Sequence, residues 1–132
     1  MYLSHLERIL TGSTGFIEAE ERPSPEHAVK AAKAFGVDLA KRWSKSVNRQ
    51  LLEGSDIIFC MDVDNYLSPL RKNGLRFKKT FSLGHLSHNP VNTFIEDPYE
   101  GEEEDFVSCY HHIDMCIKTL LNEIKKYFAI ME

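Results

Sequence analysis

The chain has 132 residues, with 16 basic and 20 acidic side chains, a formal net charge of −4 and 42% hydrophobic residues. This length suits one domain with one real core. The 27% charged fraction excludes wholesale disorder, and the net acidity argues against general nucleic-acid binding. No run approaches the ~18 apolar residues of a membrane span, no signal-peptide pattern opens the chain, and three cysteines without CxxC spacing exclude a disulfide framework and a Cys-rich zinc site, so the chain reads as a soluble cytoplasmic protein.

Leu3, Leu6, Ile9 and Leu10 recur at helical spacing, which predicts a helix from Tyr2 to Leu10. Thr11-Gly12 interrupts it, and Thr11 to Ile17 reads as a short strand or strand-to-loop segment, followed by a charged loop to Arg22. Ser24 is placed to cap the next helix, with Pro25 at its first position, Ala28, Ala32 and Phe35 on one face beside Val29, and Gly36 as the stop. A basic loop, Lys41-Arg42-Trp43-Ser44-Lys45, leads to a short helix that Asn48 caps and that runs through Leu51 and Leu52. Asp56 to Asp62 is the clearest strand. Its five consecutive apolar residues suggest burial on both faces, as in a parallel sheet. Val63 to Lys72 reads as a helix, with Pro69 at an end or a kink, and Lys79 to Gly84 as a last strand before a loop from His85 to Tyr99. The strongest helix is the last. Phe106, Tyr110, Ile113, Ile117, Leu120, Ile124 and Tyr127 form its stripe, acids crowd its start and Lys125-Lys126 mark its end. Strands alternating with helices predict an α/β fold with a sheet between helical layers.

Three segments fall in a recognisable order. Ser13-Thr14-Gly15 follows a short strand, Met61-Asp62-x-x-Asn65 follows a hydrophobic strand, and Asp97-Pro98-Tyr99 precedes a long amphipathic helix. This arrangement resembles the low-molecular-weight protein tyrosine phosphatase family over nearly the whole chain, to about Phe128. The resemblance implies a three-layer parallel sheet flanked by helices. It also implies hydrolysis of phosphotyrosine phosphomonoesters through a cysteinyl-phosphate intermediate, without a metal or other cofactor. In that family a loop with a cysteine, five residues and an arginine does the central chemistry. Its N–H groups and the following helix N-terminus hold the phosphate, the same field lowers the cysteine pKa, and the arginine grips the phosphoryl oxygens. Carried over residue by residue, Asp97 matches the general acid, Pro98 stiffens its loop and Tyr99 matches an aromatic wall of the substrate cleft. Glu100 stands where a second aromatic often follows. Ser13 matches a serine supporting the phosphate loop, and Asp62 and Asn65 match structural polar positions.

The nucleophile loop is not among these residues. Six positions after Cys60, Cys109 and Cys116 stand Tyr66, Met115 and Asn122, none of them arginine. The family's first strand is also not recognised, and the chain opens inside what resembles its first helix, so the expectation is one N-terminally incomplete domain over residues 1–132. The resemblance implies a sheet in the order 2-1-3-4, which makes that strand central. Four large buried side chains at roughly 1.5–3 kcal/mol each reach on the order of 10 kcal/mol. That rivals the ~5–15 kcal/mol stability of a whole domain. The expectation is a chain that is unstable alone, or that closes its sheet another way.

Other readings are weighed beside this one. A non-catalytic, phosphatase-like interaction module is the alternative. Arsenate reduction through Cys60 as a relay needs a second cysteine seven residues on, where Leu67 stands. Cys109 and Cys116 are separated by ~10.5 Å of helix rise, beyond the ~7 Å that a disulfide tolerates. His85, His88, His111 and His112 show no metal-ligand spacing and read as solvated or hydrogen-bonded. Trp43 among its cations, and the set Arg71, Lys72, Arg76, Lys78 and Lys79, read as packing and solvation on an acidic protein. The expected partner is a phosphotyrosine protein or small aryl phosphate, given a supplied N-terminal segment, with no nucleic acid and no membrane.

Overall fold

The computed structural model describes residues 9–15, 22–46, 49–62, 64, 79–87 and 93–131. The fold is α/β. Helix α1 (Glu26–Lys33), helix α2 (Arg49–Gly54), strand β1 (Ile58–Cys60), strand β2 (Thr80–Ser82), a 3-10 turn (Leu83–Leu86) and helix α3 (Glu103–Met131) follow one another along the chain.

Helix α1 begins at Pro25, whose carbonyl accepts the first helical bond from Val29 N–H at 3.0 Å. No side chain caps it, so Ser24 does not do what its residue type suggests: Pro25 occupies the cap position itself. The stop is at Gly36, as expected. Gly36 N–H reaches Lys33 O and Val37 N–H reaches Ala32 O, the paired bonds of a Schellman motif, and φ of Gly36 is +74°. Ala28, Ala31 and Ala32 are buried. Their small size lets α1 approach α3 closely, and Ala28 and Ala31 pack on Phe106, with Val107 and Tyr110 around them. Phe35 completes this contact edge-on to Tyr110.

Strands β1 and β2 pair in parallel, Ile58 with Thr80 through Cys60 with Ser82. Among the described residues the sheet has these two strands, and β1 bonds along one edge. Gly15 and Ser46 form a separate parallel bridge, and Pro23 and Trp43 an antiparallel one. The expectation that the Asp56 to Asp62 run is buried on both faces fails at its ends. Cys60 is buried, but Ile57 is 56% exposed and Met61 is also exposed. Burial of a strand depends on what covers it. Here Phe59 and Cys60 face neighbours, and the ends of the apolar run do not. The last strand is shorter than expected too, because Leu83-Gly84 turn into the 3-10 segment. Lys79 fastens the start of this strand to the end of α2, its ammonium donating to Glu53 O and Ser55 O.

Helix α3 joins both halves of the core. Leu83, Ile95 and Cys116 form the second buried cluster, with Phe59, Leu86, Cys109 and Ile113 against it. The inward face therefore runs through Phe106, Cys109, Tyr110, Ile113 and Cys116, rotated from the expected stripe. Ile117 and Tyr127 are exposed, and Cys116 is fully buried. The helix also continues past Lys125-Lys126, which lie within it rather than in its last turn. Its start carries one half of a capping box, the side chain of Asp105 reaching back to the Glu102 N–H. Asp105 Oδ2 accepts the Glu102 N–H at 2.8 Å, while Asp105 N–H reaches Glu102 O at 3.1 Å. At the beginning of the described chain, Ile9 and Leu10 are non-helical, and Leu10 is 95% exposed. Residues 2–8 of the expected first helix lie outside the described residues, as do Asn48 and almost all of the expected 63–72 helix.

Candidate active site

The segment from Thr93 to Tyr99 is held from three directions. Ser82, at the end of β2, donates its hydroxyl to Thr93 O. Ile95 N–H donates to Met61 O, just past β1, at 2.7 Å, and its side chain enters the second core cluster. Cys109 of α3 directs its thiol at Glu96 O, 3.9 Å away. Asp97 follows immediately and is exposed. Its Oδ1 accepts the Tyr99 N–H at 3.0 Å, an Asx turn that orients the carboxylate, and Pro98 O accepts the Gly101 N–H at 2.7 Å. The backbone behind Asp97 is thus anchored while the carboxylate faces water.

Tyr99 projects beside it and is 62% exposed, so it is available as an aromatic wall. Asp62 is half-buried one residue after Met61, and the Ile95–Met61 bond brings the Asp62 and Asp97 segments to the same end of β1. Ser13 is exposed in the segment before the Gly15–Ser46 bridge, and no described contact joins it to the Asp97 turn. Asn65 lies outside the described residues, and so does Leu67.

Sequence reasoning missed Cys109 and Tyr110 as neighbours of Asp97. Burial pushes the Cys109 thiol up, and the negative charge of Asp97 adds to this. Tyr110 is pushed up by burial, then by Cys109 and Asp97. Its hydroxyl donates to Ala28 O at 3.4 Å. The available signal was helical spacing: positions 106, 109, 110 and 113 share one face of the last helix. Cys60 ends β1 with its thiol raised by burial and by Asp62, and the Cys116 thiol is raised by burial. All three thiols are free. His111 stacks edge-on to Phe35 at 4.9 Å. Among the described residues no group of three metal-ligating side chains forms, and no helix is long and apolar enough to cross a membrane.

The family described as low molecular weight phosphotyrosine protein phosphatase matches residues 3–129. The chain belongs to this family. A curated relative, the low molecular weight phosphotyrosine protein phosphatase of Sus scrofa, is 28% identical over 106 residues, which is 78% of this chain and 65% of that protein. The chain thus spans about 65% of that relative's length. Among solved structures, the YwlE arginine phosphatase from Geobacillus stearothermophilus superposes with a TM-score of 0.83 over 99% of this chain and 85% of its own, at 18% identity. A protein tyrosine phosphatase from Entamoeba histolytica, solved with Hepes in its active site, gives 0.73 over 98% of this chain and 83% of its own, at 25% identity. The low-molecular-weight phosphatase fold expected from the Ser13, Asp62 and Asp97 segments is therefore the fold of this family member.

Proposed function

We propose that this phosphatase-family chain carries the general-acid half of a phosphotyrosine phosphatase site. The nucleophile and arginine of a CxxxxxR loop come from residues beyond these 132. The observation that carries the reading is the Asp97 turn, with its backbone tied to Met61, its carboxylate exposed to solvent and Tyr99 beside it. In the first step a thiolate attacks phosphorus, the P–O bond to the phenol breaks, and Asp97 gives its proton to the departing phenolate. In the second, water attacks the cysteinyl phosphate, Asp97 takes the water proton, and the P–S bond breaks to free the thiolate. Tyr99 walls the cleft against an aryl group. Ser13 and Asn65 support the phosphate loop, with Asn65 as a structural polar position. No cofactor enters this scheme.

On this reading residues 1–132 are an incomplete domain that is inactive by itself and works in the cytoplasm, where its thiols stay reduced. The substrate is a phosphotyrosine protein or a small aryl phosphate. Hydrolysis of an aryl phosphate is the test, run on the 132-residue chain and on the product of the coding sequence extended upstream in frame. The extended protein turns over, and Asp97→Asn in it lowers kcat by about 10²–10⁴-fold. Turnover by the short chain, or an in-frame upstream sequence without CxxxxxR, overturns the proposal.

A second reading is a non-catalytic interaction module, in which none of the cysteines present acts as a nucleophile. All three thiols are pushed up rather than down, the opposite of what a nucleophilic cysteine needs. It predicts a saturable partner and no turnover even after extension. Arsenate reduction remains the third reading, and Leu67 in place of a resolving cysteine weighs against it.

A further inference from the structure

We propose that the basic ribbon around Trp43 is a docking site for a short acidic peptide segment, independent of the phosphatase chemistry. The ribbon is two stretches of backbone clasped together. Pro23 and Trp43 form an antiparallel bridge, Ser44 N–H donates to Arg22 O at 2.9 Å, and Ser44 Oγ accepts the Arg22 N–H at 2.9 Å. A turn precedes it, with Arg42 N–H on Leu39 O and Ala40 N–H on Asp38 Oδ1. The surface presented is therefore fixed before anything binds, which lowers the ordering cost of an interaction.

Cations dominate the described part of that surface, with Asp38 of the preceding turn as its carboxylate. Arg22, Lys41, Arg42 and Lys45 are all exposed, and among the described residues none of them enters an ion pair. In the midst of them Trp43 leaves 59% of its surface in water. On a chain of net charge −4 this is a local inversion of sign. Tryptophan and arginine are the side chains that most often anchor binding. Four exposed cations around an apolar plate suit a segment with carboxylates on either side of an apolar residue.

The size of the occupant follows from the neighbourhood. Helix α1 starts beside the acidic start of α3, where His27 lies 3.7 Å from Glu102. Pro23 is four residues before His27, within ~14 Å of extended chain. Glu102 and the acidic first turn of α3, Glu103 to Asp105, thus lie against the start of α1, the helix that follows the ribbon. A long polyanion such as a nucleic acid would meet these carboxylates, whereas a short acidic peptide engages the cations alone.

Trp43 is the sole tryptophan and reports on its own site. The full 132-residue chain is titrated with a short glutamate-rich peptide free of tryptophan, and Trp43 emission is followed. Saturable quenching or a blue shift is expected. It should weaken at least about tenfold when salt rises from about 0.1 to about 1 M, as the Debye length falls from ~10 Å to ~3 Å. Arg42→Glu with Lys45→Glu should abolish it and favour a lysine-rich peptide instead. If that variant does not fold, Arg42→Gln with Lys45→Gln and the salt series on the unaltered chain carry the test. An unchanged emission, affinity unaffected by loss of the cations, or tighter binding of a single-stranded oligonucleotide overturns the proposal. So does charge-dependent self-association in sedimentation, which would make a second copy the occupant.

Discussion

Ile95→Ala tests the link between the core and the Asp97 turn. Ile95 is 3% exposed and packs against Leu83 and Cys116 two residues before Asp97. Truncation to alanine removes its outer carbons from a dry contact and leaves a cavity, a change that costs about 2–5 kcal/mol in well-packed cores. Here Phe59, Leu86, Cys109 and Ile113 around the cluster are only partly buried, so the site can relax. The lower half of the range applies, about 2–3 kcal/mol. The Ile95 N–H to Met61 O bond is backbone to backbone and does not disappear with the side chain. With a urea slope of about 1–3 kcal/mol/M, the midpoint of unfolding should fall by about 0.7–3 M. Ile95→Val should cost only about 0.5–1.5 kcal/mol. Circular dichroism over a urea series measures both. Amide exchange at Ile95 and Tyr99 shows whether the turn loosens with the cluster, as the shared anchor requires. A midpoint for Ile95→Ala within error of the unaltered chain, or a large loss without faster exchange at Tyr99, would refute the claim that this side chain seats the Asp97 turn.

Loss of the Glu102 N–H to Asp105 Oδ2 bond by Asp105→Ala should cost about 0.5–1.5 kcal/mol in thermal or urea unfolding. Gly101→Ala should act through the same cap, because a Cβ there would sit 2.7 Å from Asp105 Oδ2. The double variant should then be no worse than the larger single loss. Gly36→Ala forces a side chain into the left-handed region at φ +74° and should lower stability by about 1–2 kcal/mol, read in the same unfolding assay. Burial raises all three thiols, with Asp62 adding at Cys60 and Asp97 at Cys109. The folded chain thus holds these protons to higher pH than the unfolded chain. The stability they contribute is complete below the ordinary thiol value of ~8.5 and is lost as pH climbs above it. Iodoacetamide labelling followed by mass spectrometry should be slow at neutral pH at all three sites and slowest at fully buried Cys116. Fast labelling of Cys116 in the native chain would contradict its place in the core.

Local pattern alone determined much of this protein. The Pro25 to Gly36 helix, the apolar strand around Phe59 and the helix after Asp97 each follow from spacing and from residues whose backbone preferences act within a turn or two. The order of the Ser13, Asp62 and Asp97 segments led to the family by itself. What pattern misjudged was which face of an element is covered. Ala31 and Cys116 are core while Ile57, Ile117 and Tyr127 are exposed, because burial depends on the partner that arrives and not on the apolar residue that waits for it. Ser24 failed as a cap because Pro25 took the position. Tertiary structure alone decided the surroundings of Asp97. Residues from β2, from the end of β1 and from α3 meet there, at sequence separations that no local periodicity spans.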